Sequence, residues 1–372
     1  MISRSGLRTA ALGIAIALLI FGSREAAAAQ RQAGVTYTTV PGETALRGKP
    51  SGRLLVMVWY PAPAHTPVRP IALGPPADPY FLEGQAAQNA PLANLPARMP
   101  LIVVSHGSGG TAMDLAWLCA GLAARGYMVA AVDHPGNNAL EPPTVAGNTV
   151  WWMRARDLSN VIDGVLAIPR FGARVDRARI GAAGISLGGY TVLAIAGARS
   201  DPRLLDPYCA HKPKTPVCDG DATPDIPRLR AQARALAITD RGYRAAVAAN
   251  RDLHRDQRVK AVFSIEPAEG PAIIPASLAA IDIPVALVDG LDDRILPVMD
   301  NVIPDVLALP HAQLTLFSKP AGHYSFLINC TPAGQRKYAA VCRDAGPQRI
   351  ALHRDALNLA ASFFARTLGT PQ

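Results

Sequence analysis

The chain has 372 residues, 49% of them hydrophobic, and its 37 lysines and arginines against 28 acids give a formal charge of +9. That excess is modest, and no cluster of cations interleaves with aromatics, so the composition argues against nucleic-acid readout and for an ordinary solvated surface. Five cysteines with neither a Cys-x-x-Cys pair nor a His-rich spacing give no pattern for a metal, and neither metal nor cofactor is expected.

The chain opens with Arg4 and Arg8, an apolar stretch from Ala10 to Phe21, and Ala26-Ala27-Ala28-Ala29 before Gln30. This order of charge, apolar run and small residues reads as a signal peptide over residues 1–29, cleaved near Ala29, which places the mature protein in the periplasm or outside the cell. The apolar stretch falls short of the roughly 20 residues a membrane span needs, and no lipobox cysteine follows it. No stable membrane anchor is expected after cleavage.

Residues 30–372 read as one α/β domain, because apolar β-branched runs alternate with helical stretches and no linker divides them. The predicted strands are Val35 to Val40, Arg53 to Tyr60, Leu101 to Ser105, Met128 to Asp133, Ile180 to Gly184, Val259 to Ile265, Val285 to Asp289 and Gln313 to Phe317. Most are continuously apolar, as in a mostly parallel eight-stranded sheet covered by helices on both faces. The helices are predicted at Met113 to Arg125, Thr149 to Ile168, Tyr190 to Ala198 and Arg349 to Arg366. Between the second and third strands, Pro61 to Met99 is rich in Pro, Gly and Ala and reads as a surface run without regular structure. A second insertion, 199–258, is open to two readings, a cap over the site or a surface excursion.

The third strand ends in Ser105-His106-Gly107-Ser108-Gly109-Gly110. This reads as one half of an oxyanion hole, with Gly107 or Ser108 as backbone donor; a phosphate cradle would want a Walker lysine or a full dinucleotide glycine spacing. His106 reads as a residue that orients the loop. Cys119, in the apolar run Leu115 to Ala120, reads as a buried small hydrophobe. Trp151 and Trp152 are candidates for either the pocket wall or plain core.

Gly184-Ile185-Ser186-Leu187-Gly188 follows the strand ending at Gly184 and precedes a helical run, the arrangement of a nucleophile elbow. Two glycines let strand and helix close around a strained serine, and the first N–H groups of the helix, Leu187 foremost, face any oxyanion that forms. Serine needs a base and an acid. His323, just beyond the last strand, has the position for the base. Asp293 is the expected acid, in Asp289-Gly290-Leu291-Asp292-Asp293 after the seventh strand, and Glu266, at the end of the sixth, is the alternative. Cys209 with Cys218 and Cys330 with Cys342 each close a small loop, and local pairing is expected, leaving Cys119 free.

With these residues in place the chain resembles an α/β-hydrolase of the secreted group related to dienelactone hydrolases and platelet-activating-factor acetylhydrolases. The resemblance runs from about Arg53 to Arg366 and rests on Ser105-His106-Gly107, Val132-Asp133-His134-Pro135-Gly136, the elbow, the acid loop and Gly322-His323-Tyr324. True dienelactone hydrolases carry cysteine where this chain has Ser186. The mammalian acetylhydrolases take their acid from the earlier strand, at the place of Glu266, whereas bacterial relatives favour the place of Asp293. The resemblance implies a serine esterase acting on a small-molecule or lipid ester through an acyl-enzyme. An acyltransferase or amidase with the same triad is the alternative, and a non-catalytic binding protein a more distant one.

Overall fold

The computed structural model describes residues 31–371 apart from 96, 220–225 and 319. The expected signal peptide lies outside the described residues.

Ten strands form one sheet: β1 (Gln32–Pro41), β2 (Arg53–Ala62), β3 (Arg69–Leu73), β4 (Phe81–Gln88), β5 (Met99–Ser105), β6 (Met128–Asp133), β7 (Val175–Ile185), β8 (Val259–Ile265), β9 (Val285–Gly290) and β10 (Ala312–Phe317). Their spatial order is β10-β9-β8-β7-β5-β6-β2-β1-β4-β3. The six strands from β10 to β6 run parallel, and β2 turns antiparallel to both β6 and β1. In β5 every residue is buried, and its side chains alternate between two cores. Leu101 and Val103 pack with Leu158, Val161 and Ile162 of the helix Arg154–Ala167, whereas Ile102 and Val104 pack with Leu118 and Leu122 of Ala116–Ala124 and with Phe363 and Phe364 of Pro347–Leu368. Burial on both faces is why these strands read as unbroken apolar runs.

All eight predicted strands are present, but the sheet has ten rather than eight. The additional pair, β3 and β4, lies within 61–99, where an irregular surface run was expected. These strands escape a periodicity reading because Phe81–Gln88 carries Glu83, Gly84 and Gln85 at its centre and Arg69–Leu73 is only five residues long. They stand at the sheet's edge, β4 pairing parallel to β1 through Gly34 and Val35, so little of them needs to be apolar. The helix expected from Thr149 to Ile168 is also divided: a short helix Val145–Thr149, a 3₁₀ turn Trp151–Met153, then Arg154–Ala167.

Cys209 pairs with Cys218 and Cys330 with Cys342, while Cys119 is free and buried, its thiol pushed well up by burial. Among the described residues no helix is long and apolar enough to cross a membrane.

Candidate active site

Strand β7 ends at Ile185, and the helix Leu187–Ala196 begins two residues later, so Ser186 alone makes the corner, at φ 57° and ψ −123°. Such a conformation costs a non-glycine residue on the order of 1–3 kcal/mol and holds only where neighbours over-determine it. Here they do: the Ser186 N–H donates to the Ile265 carbonyl at 2.9 Å, and the Ser186 carbonyl accepts from Tyr190 and Ala268 at 3.1 and 3.0 Å. The flanking glycines are required by contact as well. A Cβ on Gly184 would stand 2.3 Å from the Gly188 carbonyl oxygen, and one on Gly188 would stand 2.0 Å from that of Ser105.

The corner carries the Ser186 hydroxyl to 3.0 Å from Nε2 of His323, whose Nδ1 lies 2.8 Å from Oδ2 of Asp293. The other oxygen of Asp293 accepts from the backbone N–H groups of Ile295 and Leu296 at 2.8 and 2.7 Å. With one oxygen held by two amides, the second is left to receive the Nδ1 proton, and this sets the tautomer in which Nε2 accepts from serine. His323 stands on a short 3₁₀ turn, His323–Phe326, beyond β10, and the helix Pro347–Leu368 meets this turn through His353, 2.9 Å from the Ser325 carbonyl.

Glu266 also approaches His323 Nδ1, at 3.5 Å. Its side chain is fully buried, neither oxygen accepts a hydrogen bond of normal geometry, and its backbone sits at φ 44°. Burial and the charge of Asp293 raise its carboxyl well above the usual range, which favours the protonated form beside Asp293. Asp289, near the end of the neighbouring strand β9, is pushed up to about 8 by burial and then by Asp293. Glu266, Asp293 and His323 are the only described residues whose donor atoms, all within 4.8 Å of one another, are close enough to hold a metal. Both ring nitrogens of His323 are already engaged with Ser186 and Asp293, which leaves that trio no free imidazole lone pair.

Gly107 passes beside Ser186, where a Cβ would meet that of the serine at 3.3 Å, and Gly107, Ser108 and Leu187 line one cavity with Ser186. His106 points away from the serine. Its Nε2 accepts the His134 backbone N–H at 3.1 Å, so its Nδ1 carries the hydrogen and donates to the Gly107 carbonyl at 2.6 Å, while Arg154 donates to the His106 carbonyl at 2.6 Å. Asn137 reaches the Ser108 hydroxyl at 3.2 Å and accepts from the Gly109 N–H at 3.1 Å. The loop is thus held from behind by groups that never meet the cavity.

Beneath it runs a second serine–histidine–aspartate row that sequence reasoning did not anticipate. Ser105 Oγ lies 2.9 Å from His134 Nε2, and His134 Nδ1 lies 2.8 Å from Asp157, which also accepts two bonds from Arg47 at 2.6 and 2.7 Å. Burial and Arg154 hold His134 down at about 3; burial would raise Asp157, but Arg47 overrides it and holds the carboxyl at about 2. All three side chains are sealed from solvent, so this row braces the loop and offers no nucleophile. A trace of it stands in Asp133-His134-Pro135, but its partner is 23 residues away on a helix.

The cavity above Ser186 has a volume of about 1240 Å³ and is lined by Trp151, Trp152 and Tyr324 together with Leu205, Ala233 and Tyr243 of the 199–258 insertion. The insertion is therefore a wall of the site. Trp152 ties it down by donating its Nε1–H to the Ala246 carbonyl at 2.9 Å.

Residues 102–329 match the family described as "Alpha/beta hydrolase family". Among solved structures, a ferulic acid esterase from Streptomyces cinnamoneus is similar over 92% of each chain, with a TM-score of 0.58 and 22% sequence identity, a likeness of fold. No curated protein matches the chain.

Proposed function

The chain belongs to the α/β-hydrolase family, and on that premise we propose that it is a secreted serine hydrolase cleaving carboxylic esters of small-molecule or lipid type through an acyl-enzyme. The observation that carries this reading is the unbroken row Ser186–His323–Asp293 at 3.0 and 2.8 Å, opening on a cavity.

As Ser186 Oγ bonds to the ester carbonyl carbon, His323 Nε2 takes the hydroxyl proton. Asp293 stabilises the imidazolium without taking a proton itself. The carbonyl oxygen gains charge against the N–H of Leu187 and one from Gly107 or Ser108; loss of one such donor typically costs about 10²- to 10³-fold in turnover. His323 then protonates the leaving alkoxide, and the sequence repeats with water to release the acid. The ester in the name of the Streptomyces neighbour agrees with this chemistry. Two disulfides support an oxidising compartment. A panel of p-nitrophenyl esters graded by acyl length tests the proposal: wild-type protein turns over at least one of them, and Ser186→Ala turns over none. Equal rates for the two proteins refute it.

A further inference from the structure

Glu269 follows directly on Ala268, whose N–H donates to the Ser186 carbonyl at 3.0 Å, and its side chain lines the cavity that contains Ser186 and His323. Its backbone lies at φ 66°, in the left-handed region that favours glycine. The carbonyl is committed to the N–H groups of Ala272 and Ile273 at 2.8 and 3.1 Å, so this strained corner is built into the fold. The carboxyl has no hydrogen bond or ion pair with any described residue. Burial alone acts on it, pushing it up to about 7. Arg203 and Arg251, which line the same cavity, both pair with Asp201, while Arg230 and Arg234 of the insertion line it with no ion pair among the described residues. The side chain is half-buried at the cavity wall, so its carboxyl is met by water or by a substrate group, and a site built to bond a substrate group discriminates against analogues that lack it. A carboxyl accepts from a hydroxyl in either protonation state, whereas a cation needs the ionised form.

We propose that Glu269 is a specificity-determining residue whose carboxyl receives a hydrogen bond from a hydroxyl on the substrate, so that the preferred esters carry a hydroxyl close to the scissile bond. This rests on the esterase reading of Ser186. The test compares pairs that differ by OH against CH₃: ethyl 3-hydroxybutyrate with ethyl 3-methylbutyrate for the acyl side, and 2-hydroxypropyl butyrate with isobutyl butyrate for the alcohol side. Binding is titrated by ligand-observed NMR to the Ser186→Ala protein, where no turnover is needed, and hydrolysis by wild-type protein is followed separately, so that failure of the esterase reading shows only in the second measurement. In at least one pair the hydroxy ester binds about tenfold tighter or more, as one hydrogen bond to a carboxyl confers. Adding Glu269→Met abolishes the preference, and adding Glu269→Gln, which keeps an acceptor in place, retains it. Equal binding within both pairs, a preference that survives Glu269→Met, or one lost equally in Glu269→Gln overturns the proposal.

Discussion

Glu266 stands 3.5 Å from His323 Nδ1, the nitrogen that Asp293 already holds at 2.8 Å. The pair is separated by environment: two amides stabilise the charge on Asp293, while for Glu266 burial and the charge of Asp293 outweigh the one amide, that of Gly290, and raise its carboxyl. Asp293→Asn should therefore lower kcat by about 10⁴-fold, since the imidazole loses its tautomer. Glu266→Gln keeps the shape of a side chain whose charged form burial disfavours, and less than about a tenfold loss is expected. Steady-state hydrolysis of one p-nitrophenyl ester by both variants decides between them, and the reverse ranking would transfer the role to Glu266.

The elbow glycines test the geometry independently of chemistry. Gly188→Ala places a Cβ 2.0 Å from the Ser105 carbonyl oxygen, backbone that cannot swing aside. A loss of about 3 kcal/mol, the upper end for overpacking, is expected in chemical denaturation. Native stability in that variant would mean that strand and helix do not meet as described.

Arg47 and Asp157 form the buried pair beneath the oxyanion loop. Asp157→Asn leaves Arg47 and Arg154 without their counter-charge and should cost about 3–5 kcal/mol. The sign with pH follows from a carboxyl held at about 2, below its ordinary 3.8. The pair's contribution is complete above about pH 4 and is lost as pH falls toward 2. Acid unfolding followed by circular dichroism should thus begin at higher pH in the variant.

Asp305 has the opposite sign. It is buried, one of its oxygens has no partner, and burial pushes it up to about 8 from 3.8. Its folded-state proton is retained while the unfolded chain ionises, so stability present below about pH 4 is lost as pH rises toward 8. Asp305→Asn should gain on the native chain across that window, by at most about 1.4 kcal/mol per pH unit. Calorimetry at pH 5 and pH 8 checks this, and a Tm difference that shrinks with pH would contradict it.

Ser186 and Asp293 declare themselves along the chain because each follows a strand with a buried apolar run, β7 and β9, whereas His323 follows β10, a half-exposed edge strand, and is marked by its place last in chain order. Strands buried on both faces announce themselves by composition, and the loop that follows is then a short, countable distance away. What stayed hidden depends on distance in sequence or on the absence of pattern. Strands β3 and β4 are edge strands with polar centres. Asp157 is one acid on a helix until His134 and Arg47 are brought against it. Glu269 carries no mark in the sequence, and only the cavity and its backbone angle distinguish it. Whether Asp293 or Glu266 bonds the imidazole turns on two loop amides, those of Ile295 and Leu296, that no residue pattern specifies.

In the proposed mechanism Ser186 alone becomes covalently modified. Intact-mass spectrometry of the mature, folded protein after treatment with a fluorophosphonate reads this modification directly. One adduct per chain is expected on the wild-type protein, mapped to Ser186, and none on Ser186→Ala. Folded wild-type protein that stays unlabelled, or a Ser186→Ala protein labelled to the same extent, would contradict it.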